Sequence, residues 1–257
     1  MIGMQLRGFA LVIGLLLLWE LSVRSGAVRS ESWPAVSTIL QALGTGFRTE
    51  GWGGVFGSSL YRMALGFLLA ALAGVVLGLV LGASATLHRI AMPTLEILRV
   101  LPGPALVPPL IFLLGVDDAL KVTVIAIAAF FPILLNTIAG VKAVDPVHLL
   151  VARTFRVPRR RILFGVQLPS ALPFVFAGCR ISLGIALIVT VVTEMLAGSA
   201  GVGYYIVSMQ YAMRASEMYA AIILLSAIGY LLNRLFLALE RRSLRWAHGL
   251  ERQAAHG

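Results

Sequence analysis

The sequence predicts an all-α integral membrane protein of about six transmembrane helices, and three observations lead there. Hydrophobic residues make up 59% of the 257, charged residues only 12%, and mean hydropathy is +0.93; a water-soluble domain carries about a quarter charged residues. The runs 63–87 and 122–141 contain no charge at all, and each is long enough for a bilayer core, which takes about 20 apolar residues. Between apolar runs, the segment 145–173 holds five arginines, Arg153, Arg156, Arg159, Arg160 and Arg161. Such a loop cannot sit in lipid and favours the cytoplasmic face.

The expected spans are about 8–23, 63–87, 95–116, 120–142, 171–197 and 218–239, with a cytoplasmic loop over 143–169. In the first, Arg7 precedes the apolar core and Ser25-Gly26-Ala27 follows it, as in a signal peptide. Glu20, Leu21 and Arg24 fit a cleavage site poorly, so the segment is expected to remain as an anchor. After Pro34, Val36, Ile39, Leu40, Leu43 and Phe47 recur at helical spacing. That pattern predicts a short helix along the membrane surface, packed on the outer ends of the bundle.

Span two carries Gly66, Ala70, Gly74, Gly78 and Gly82 at four-residue intervals. Small residues so placed let two backbones approach closely, either inside this bundle or at a seam between subunits. Span three holds Pro102, Pro104, Pro108 and Pro109 within eight residues, and each removes a backbone donor, so this helix is expected to break or kink strongly. Unwound backbone at membrane depth survives where it lines a polar cavity or where protein buries it. Pro102, Pro104 and Pro108 are therefore candidates for the wall of a translocation path, with a kink filled by neighbouring helices as the other reading.

Ionisable groups within spans are costly to insert and are candidates for function. Glu194 is placed near the outer end of span five, where it is expected to shape the outer gate or path. Arg180, fourteen residues earlier, is too far away to pair with it and is matched instead with Glu96. Asn136 in span four is a weaker path candidate, expected to hydrogen-bond between helices.

Loop cations set the orientation. With both termini inside, the inner segments hold Arg7, Arg89, Lys142, the five loop arginines, Arg241, Arg242, Arg245 and Arg252; the outer ones hold Arg24, Arg29, Arg48, Arg62, Lys121 and Arg214. This placement reads the net charge of +10 as membrane topology and excludes nucleic acid as a partner. A phosphate-binding loop needs Gly-Lys-Ser/Thr, but the only lysines, Lys121 and Lys142, follow Leu120 and Val141. His88, His148, His248 and His256 form no metal-ligand pattern, and Cys179 stands alone. A membrane enzyme finds no paired catalytic groups here.

Several motifs resemble, in this order, the permease subunit of bacterial ATP-binding-cassette importers of the nitrate/sulfonate/taurine/bicarbonate type. They are FFPILLNTIAGV at 130–141, VKAVDP at 141–146, LPSALP at 168–173, AGCRISLG at 177–184, TEMLAGSAGVGYYI at 193–206 and LERRSLRW at 239–246, together with the proline-rich third span. Members carry a loop reading Glu-Ala-Ala, three residues, Gly, nine residues, an aliphatic, any residue, then Leu-Pro. Val166-Gln167-Leu168-Pro169 supplies its end, which puts Arg156 at the glycine and Leu150-Val151-Ala152 at Glu-Ala-Ala. Only Ala152 matches there.

The resemblance implies a type I permease bundle in which the whole chain, 1–257, is one transmembrane permease domain in the bacterial inner membrane. It implies a homodimer or heterodimer of permeases among membrane lipids, two cytoplasmic ATPases that bind ATP and Mg, and a periplasmic or lipid-anchored binding protein. The chain itself needs no cofactor and is not an enzyme. A coupling helix is implied between Asp145, a cap, and Pro158, with Leu149, Leu150, Val151, Ala152, Arg153, Phe155 and Arg156 meeting the ATPase. Leu149, Leu150, Ala152 and Phe155 are read as its apolar ridge. The arginines there either engage acidic residues of the ATPase or only fix topology and bind anionic lipid heads. The rival reading is an ion-gradient-driven secondary transporter, which needs inverted repeats that are not visible here.

Overall fold

Lipid offers backbone groups no water to bond, so each must pair within its own helix. Helices and turns accordingly account for the computed structural model of this chain, which describes residues 2–28 and 30–245, with side chains from residue 10 onward except that of Arg153. Arg29, Arg252, His248, His256 and the side chain of Arg7 lie outside the described residues. The elements are α1 (Ile2–Arg24), α2 (Val36–Arg48), α3 (Trp52–Ala83), α4 (Ala85–Leu98), a 3-10 turn (Gly103–Leu106), α5 (Val107–Leu114), α6 (Asp118–Lys142), α7 (Pro146–Thr154), α8 (Arg159–Ile162), a π turn (Leu163–Gln167), α9 (Leu168–Ala197), α10 (Val202–Tyr211) and α11 (Ala215–Ser243).

The stacked helices α3, α6 and α9 form the centre. The small-residue stripe of α3 faces α6, so it is an internal seam. A Cβ added at Gly66 would come within 2.6 Å of Ile125, at Gly78 within 2.5 Å of Thr137, and at Gly82 within 2.7 Å of Val141. On its other side α6 meets α9 with equal closeness: Gly140 lies under Phe174, and Gly178 lies against Asn136 and the Pro132 carbonyl. Where apolar side chains gain nothing by leaving lipid, backbone proximity of this kind holds helices together.

α3 begins eleven residues before the expected span, at Trp52 rather than 63. Hydropathy could not reveal this extra length, because packing sustains it. Trp52 and Phe56 are buried with Ile39 of α2, Tyr205 and Ile206 of α10 and Ala220 and Ala221 of α11. The expected surface helix is thus present as α2, docked through Ile39, Ala42 and Gly46. It is tied to α1 by Glu20, which accepts the Ser37 backbone N–H at 3.1 Å and its hydroxyl at 2.8 Å. Trp19 adds a donor to the Pro34 carbonyl at 3.0 Å and stacks on Trp33. At the same end Arg214 bridges Glu50 and Glu217 at 2.7 and 2.8 Å, and those hydrogen bonds hold its guanidinium charged beyond the usual range.

The third span is not one helix over 95–116. α4 starts at Ala85, capped by the Ser84 hydroxyl, which accepts the Leu87 N–H at 3.3 Å. α4 and the 103–114 segment are bent by 85° at the break between them. Pro102 precedes the 3-10 turn and Pro104 lies in its first half, while Pro108 and Pro109 occupy the first turn of α5, where a missing N–H costs nothing. Among the described residues, Trp52–Ala83, Asp118–Lys142, Arg159–Ala197 and Ala215–Ser243 are long and apolar enough to cross a membrane, and the bent pair makes a fifth span if counted as one. α1 is a single helix of 23 residues, about 34 Å at 1.5 Å per residue.

Candidate functional site

The loop between α6 and α9 folds into a structure of its own. Asp145 caps α7, its carboxylate accepting the Val147 N–H at 2.8 Å, and Pro146 takes the first helical position. Val147, Leu150, Val151 and Phe155 present an exposed apolar face, with Leu150 64% and Phe155 78% accessible. The expected ridge is corrected accordingly. Leu149 and Ala152 are half-buried, because with 3.6 residues per turn they fall on the side opposite Val147 and Val151. The side chain of Arg153 lies outside the described residues.

Arg156 adopts φ 51°, the left-handed region in which glycine is at ease. This is the position that the motif spacing had aligned with the family's glycine. Here an arginine takes this left-handed turn, and Pro158 then leads into α8. Arg156→Gly is expected to slow amide hydrogen exchange across α7 and α8 about fivefold, because relieving a left-handed non-glycine residue is worth about 1 kcal/mol. Unchanged or faster exchange would show that the arginine is not strained there.

At the break, Gly103, Leu101 and Arg99 line one side of an open pocket of about 330 Å³, with Phe131 and Leu135 of α6 and Val189 of α9 on the other. Pro102 and Pro104 flank Gly103, holding this backbone beside the cavity; Pro108 lies inside α5. Asn136 does not make the expected bond between helices: its Nδ2 donates within α6, to the Pro132 carbonyl at 2.8 Å. Arg180 does not meet Glu96 either. It faces Glu240 of α11 at 3.7 Å, while Glu96 pairs with Arg99 one turn away at 2.6 Å.

Glu194 has no exposed surface. It is the centre of a polar cluster joining α3, α6, α9 and α10. Arg62 Nη1 donates to it at 2.8 Å, the Ser59 hydroxyl lies 2.8 and 2.9 Å from its two oxygens, and the Gly203 N–H donates at 3.1 Å. Arg62 also donates through Nε to Asp118 at 2.7 Å and through Nη1 to the Ala200 carbonyl at 3.1 Å. The Val202 N–H donates to Ser59 at 2.8 Å, and Lys121 lies 3.7 Å from Asp118. The 193–206 motif acquires a physical meaning here. Gly201 has φ 108° and its missing Cβ is the space that the Glu194 carboxylate occupies.

Arg62, Ser59, Asp118 and Lys121 were not read as members of a site from sequence. Cation placement along the sequence assigns Arg62 and Lys121 to outer loops, yet both are buried within helices. The available signal was an arginine within a turn of a charge-free run, whose partner lies 132 residues away.

Residues 66–245 match the family described as "binding-protein-dependent transport system inner membrane component". The permease protein SsuC of Bacillus subtilis (strain 168), named for aliphatic sulfonates transport, is 33% identical over 96% of this chain and 89% of its own. The bicarbonate transport system permease protein CmpB of Synechococcus elongatus (strain ATCC 33912 / PCC 7942 / FACHB-805) is 30% identical over 91% and 87%. The taurine transport system permease protein TauC of Escherichia coli (strain K12) is 32% identical over 75% and 70%. An inward-facing structure of the MetNI methionine ABC transporter shares the fold, with a TM-score of 0.65, 18% identity and coverage of 74% of this chain and 94% of that one. These matches set aside the ion-gradient alternative. The chain belongs to the binding-protein-dependent inner membrane components, as a multi-pass permease subunit of an ATP-binding-cassette importer of the nitrate/sulfonate/taurine/bicarbonate type, whose ATP is hydrolysed by a separate subunit.

Proposed function

We propose that two copies of this chain enclose one pathway for a small oxyanion or sulfonate, with α7 as the contact to a cytoplasmic ATPase. The observation that carries this reading is the exposed apolar face of Val147, Leu150, Val151 and Phe155 on an otherwise basic loop. Apolar side chains held at a polar membrane surface mark an interface. In this reading α1, the bent pair and the four long helices make six spans, with both termini in the cytoplasm as the loop cations direct. ATP and Mg are bound by two ATPase subunits beneath the two α7 helices, and a periplasmic or lipid-anchored protein delivers the solute.

Pro102, Pro104 and the cavity beside Gly103 then form part of the path wall, with the Arg99–Glu96 pair at its edge. The substrate class follows the relatives, which are named for sulfonates, bicarbonate and taurine. Reconstitution in proteoliposomes tests the reading. The chain alone is expected to hydrolyse no ATP, and hydrolysis is expected only when its ATPase is added, rising further with a loaded binding protein. Robust hydrolysis by the chain alone, or an ATPase that fails to bind it, would defeat the assignment.

A further inference from the structure

The end of the bundle that carries α7 holds an open cleft made of two adjoining pockets, about 400 and 860 Å³, which share Ala83, Ala85, Leu149 and Gln167. It lies where α3 ends at Ala83, α6 ends at Lys142 and α9 begins at Leu168. Where apolar helices end, acyl chains give way to headgroups. Basic side chains line both halves: His88, Arg89 and Lys142 in one, Arg156, Arg159 and Arg160 in the other. Among the described residues, no carboxylate lines either half.

Among the described residues, none of these arginines, nor Lys142, has a carboxylate within 4.0 Å. Among the described residues, Arg89 hydrogen-bonds only to the Ala85 carbonyl of its own helix, at 3.4 Å. Arg24, Arg62, Arg99, Arg180 and Arg214 each have an acid, whereas Arg48, Arg161, Arg234, Arg241, Arg242 and Arg245, like the cleft cations, have none among the described residues; what sets the cleft apart is that its cations line one concavity. Positive charge gathered in one concavity focuses the field there and attracts an anion.

The border of the cleft says which kind. Leu149 and Leu163 form apolar parts of its wall. Leu87 and Ile90, which flank His88 and Arg89 on α4, and Phe164, next to Leu163, are exposed. A soluble anion has no use for such a margin, whereas a phospholipid has acyl chains to lay on it. Leu149 also shows that the cleft lies behind α7, on the side away from the face of Leu150 and Phe155, so an occupant leaves that face free.

We propose that this cleft holds the phosphate group of an anionic phospholipid, and that the bound lipid braces α7 against the α3–α4 elbow. The brace rests on α7 being the ATPase contact; the lipid site does not. The test uses the full chain in nanodiscs of phosphatidylcholine mixed with phosphatidylglycerol, with retained lipid counted by native mass spectrometry. Phosphatidylglycerol is expected to be retained preferentially. Arg89→Gln, Lys142→Gln and Arg160→Gln are each expected to lower that preference about fivefold, the usual effect of one cation at a membrane surface. Arg241→Gln with Arg242→Gln, cations outside the cleft, are expected to leave it unchanged.

Equal retention of both lipids, or an equal loss from both sets of variants, overturns the site. Displacement of the lipid by inorganic phosphate or sulfate would assign the cleft to a soluble anion and overturns it too. Phosphatidylglycerol is further expected to slow hydrogen exchange of the α7 amides, and exchange indifferent to it removes the brace. Both readouts are made without the ATPase, so their failure is distinct from failure of the α7 contact.

Discussion

Arg62→Ala is expected to destabilise the chain by about 3–5 kcal/mol, the range for removing one member of a buried ion pair. The reason is what it leaves behind. Glu194, fully enclosed, would keep Ser59 and the Gly203 N–H but lose its only guanidinium partner among the described residues. Asp118 would lose its 2.7 Å partner and keep Lys121 at 3.7 Å. The Ala200 carbonyl would lose its donor in the turn that carries α9 into α10.

Because the cost lies in an uncompensated charge, Arg62→Met with Glu194→Met is expected to recover most of it, since well-packed apolar pairs often match buried ion pairs. Thermal unfolding of the detergent-solubilised chain would read both. A loss below about 1 kcal/mol for the single variant would mean that the cluster is hydrated or open and does not join the four helices. Glu194→Gln belongs in the same series. It keeps the shape, so any loss of transport without loss of stability would return Glu194 to the outer gate.

Leu150→Asp with Phe155→Asp is expected to weaken ATPase binding at least about a hundredfold while leaving the fold intact. Both side chains stand in solvent in the isolated chain, so their replacement removes little that holds it together. On docking, each would bury an apolar side chain worth about 1.5–3 kcal/mol, and the aspartates would place two charges in that contact. Titration of the purified ATPase onto the variant in nanodiscs measures the loss, with the melting temperature of the variant as control. Undiminished binding would remove α7 from the interface; a collapsed melting temperature would mean that the two side chains pack within the chain after all.

The parts readable from sequence were those governed by local chemistry. The Asp145 cap, Pro146 at the first position and the end of α7 before Pro158 follow from neighbours within a few residues. The proline cluster foretold the break after Leu98 for the same reason, since a missing N–H acts on its own turn. Motif spacing places Arg156 at the glycine position, and its backbone is left-handed there. The glycine stripe also announced a close seam, though not which helix would fill it.

What hydropathy and spacing could not supply were pairings between distant segments. Glu194 was visible as a costly group, but its release from that cost comes from Arg62 and Ser59, brought to it by the α3–α9 contact. Arg180 was matched with Glu96 on depth alone, whereas the helix facing it supplies Glu240. The extension of α3 back to Trp52 was likewise hidden, because burial against α2, α10 and α11 sustains it.

The order and apolarity of its residues therefore settled that this chain lives in lipid, where its helices break, and that a capped basic loop separates two spans; those properties depend on solvent preference and on bonds within one turn. Which charges neutralise one another, which face of α7 is left bare and where uncompensated arginines gather depended on the packed bundle. Such outcomes are set by distances between helices far apart along the chain, and a one-dimensional pattern does not contain those distances.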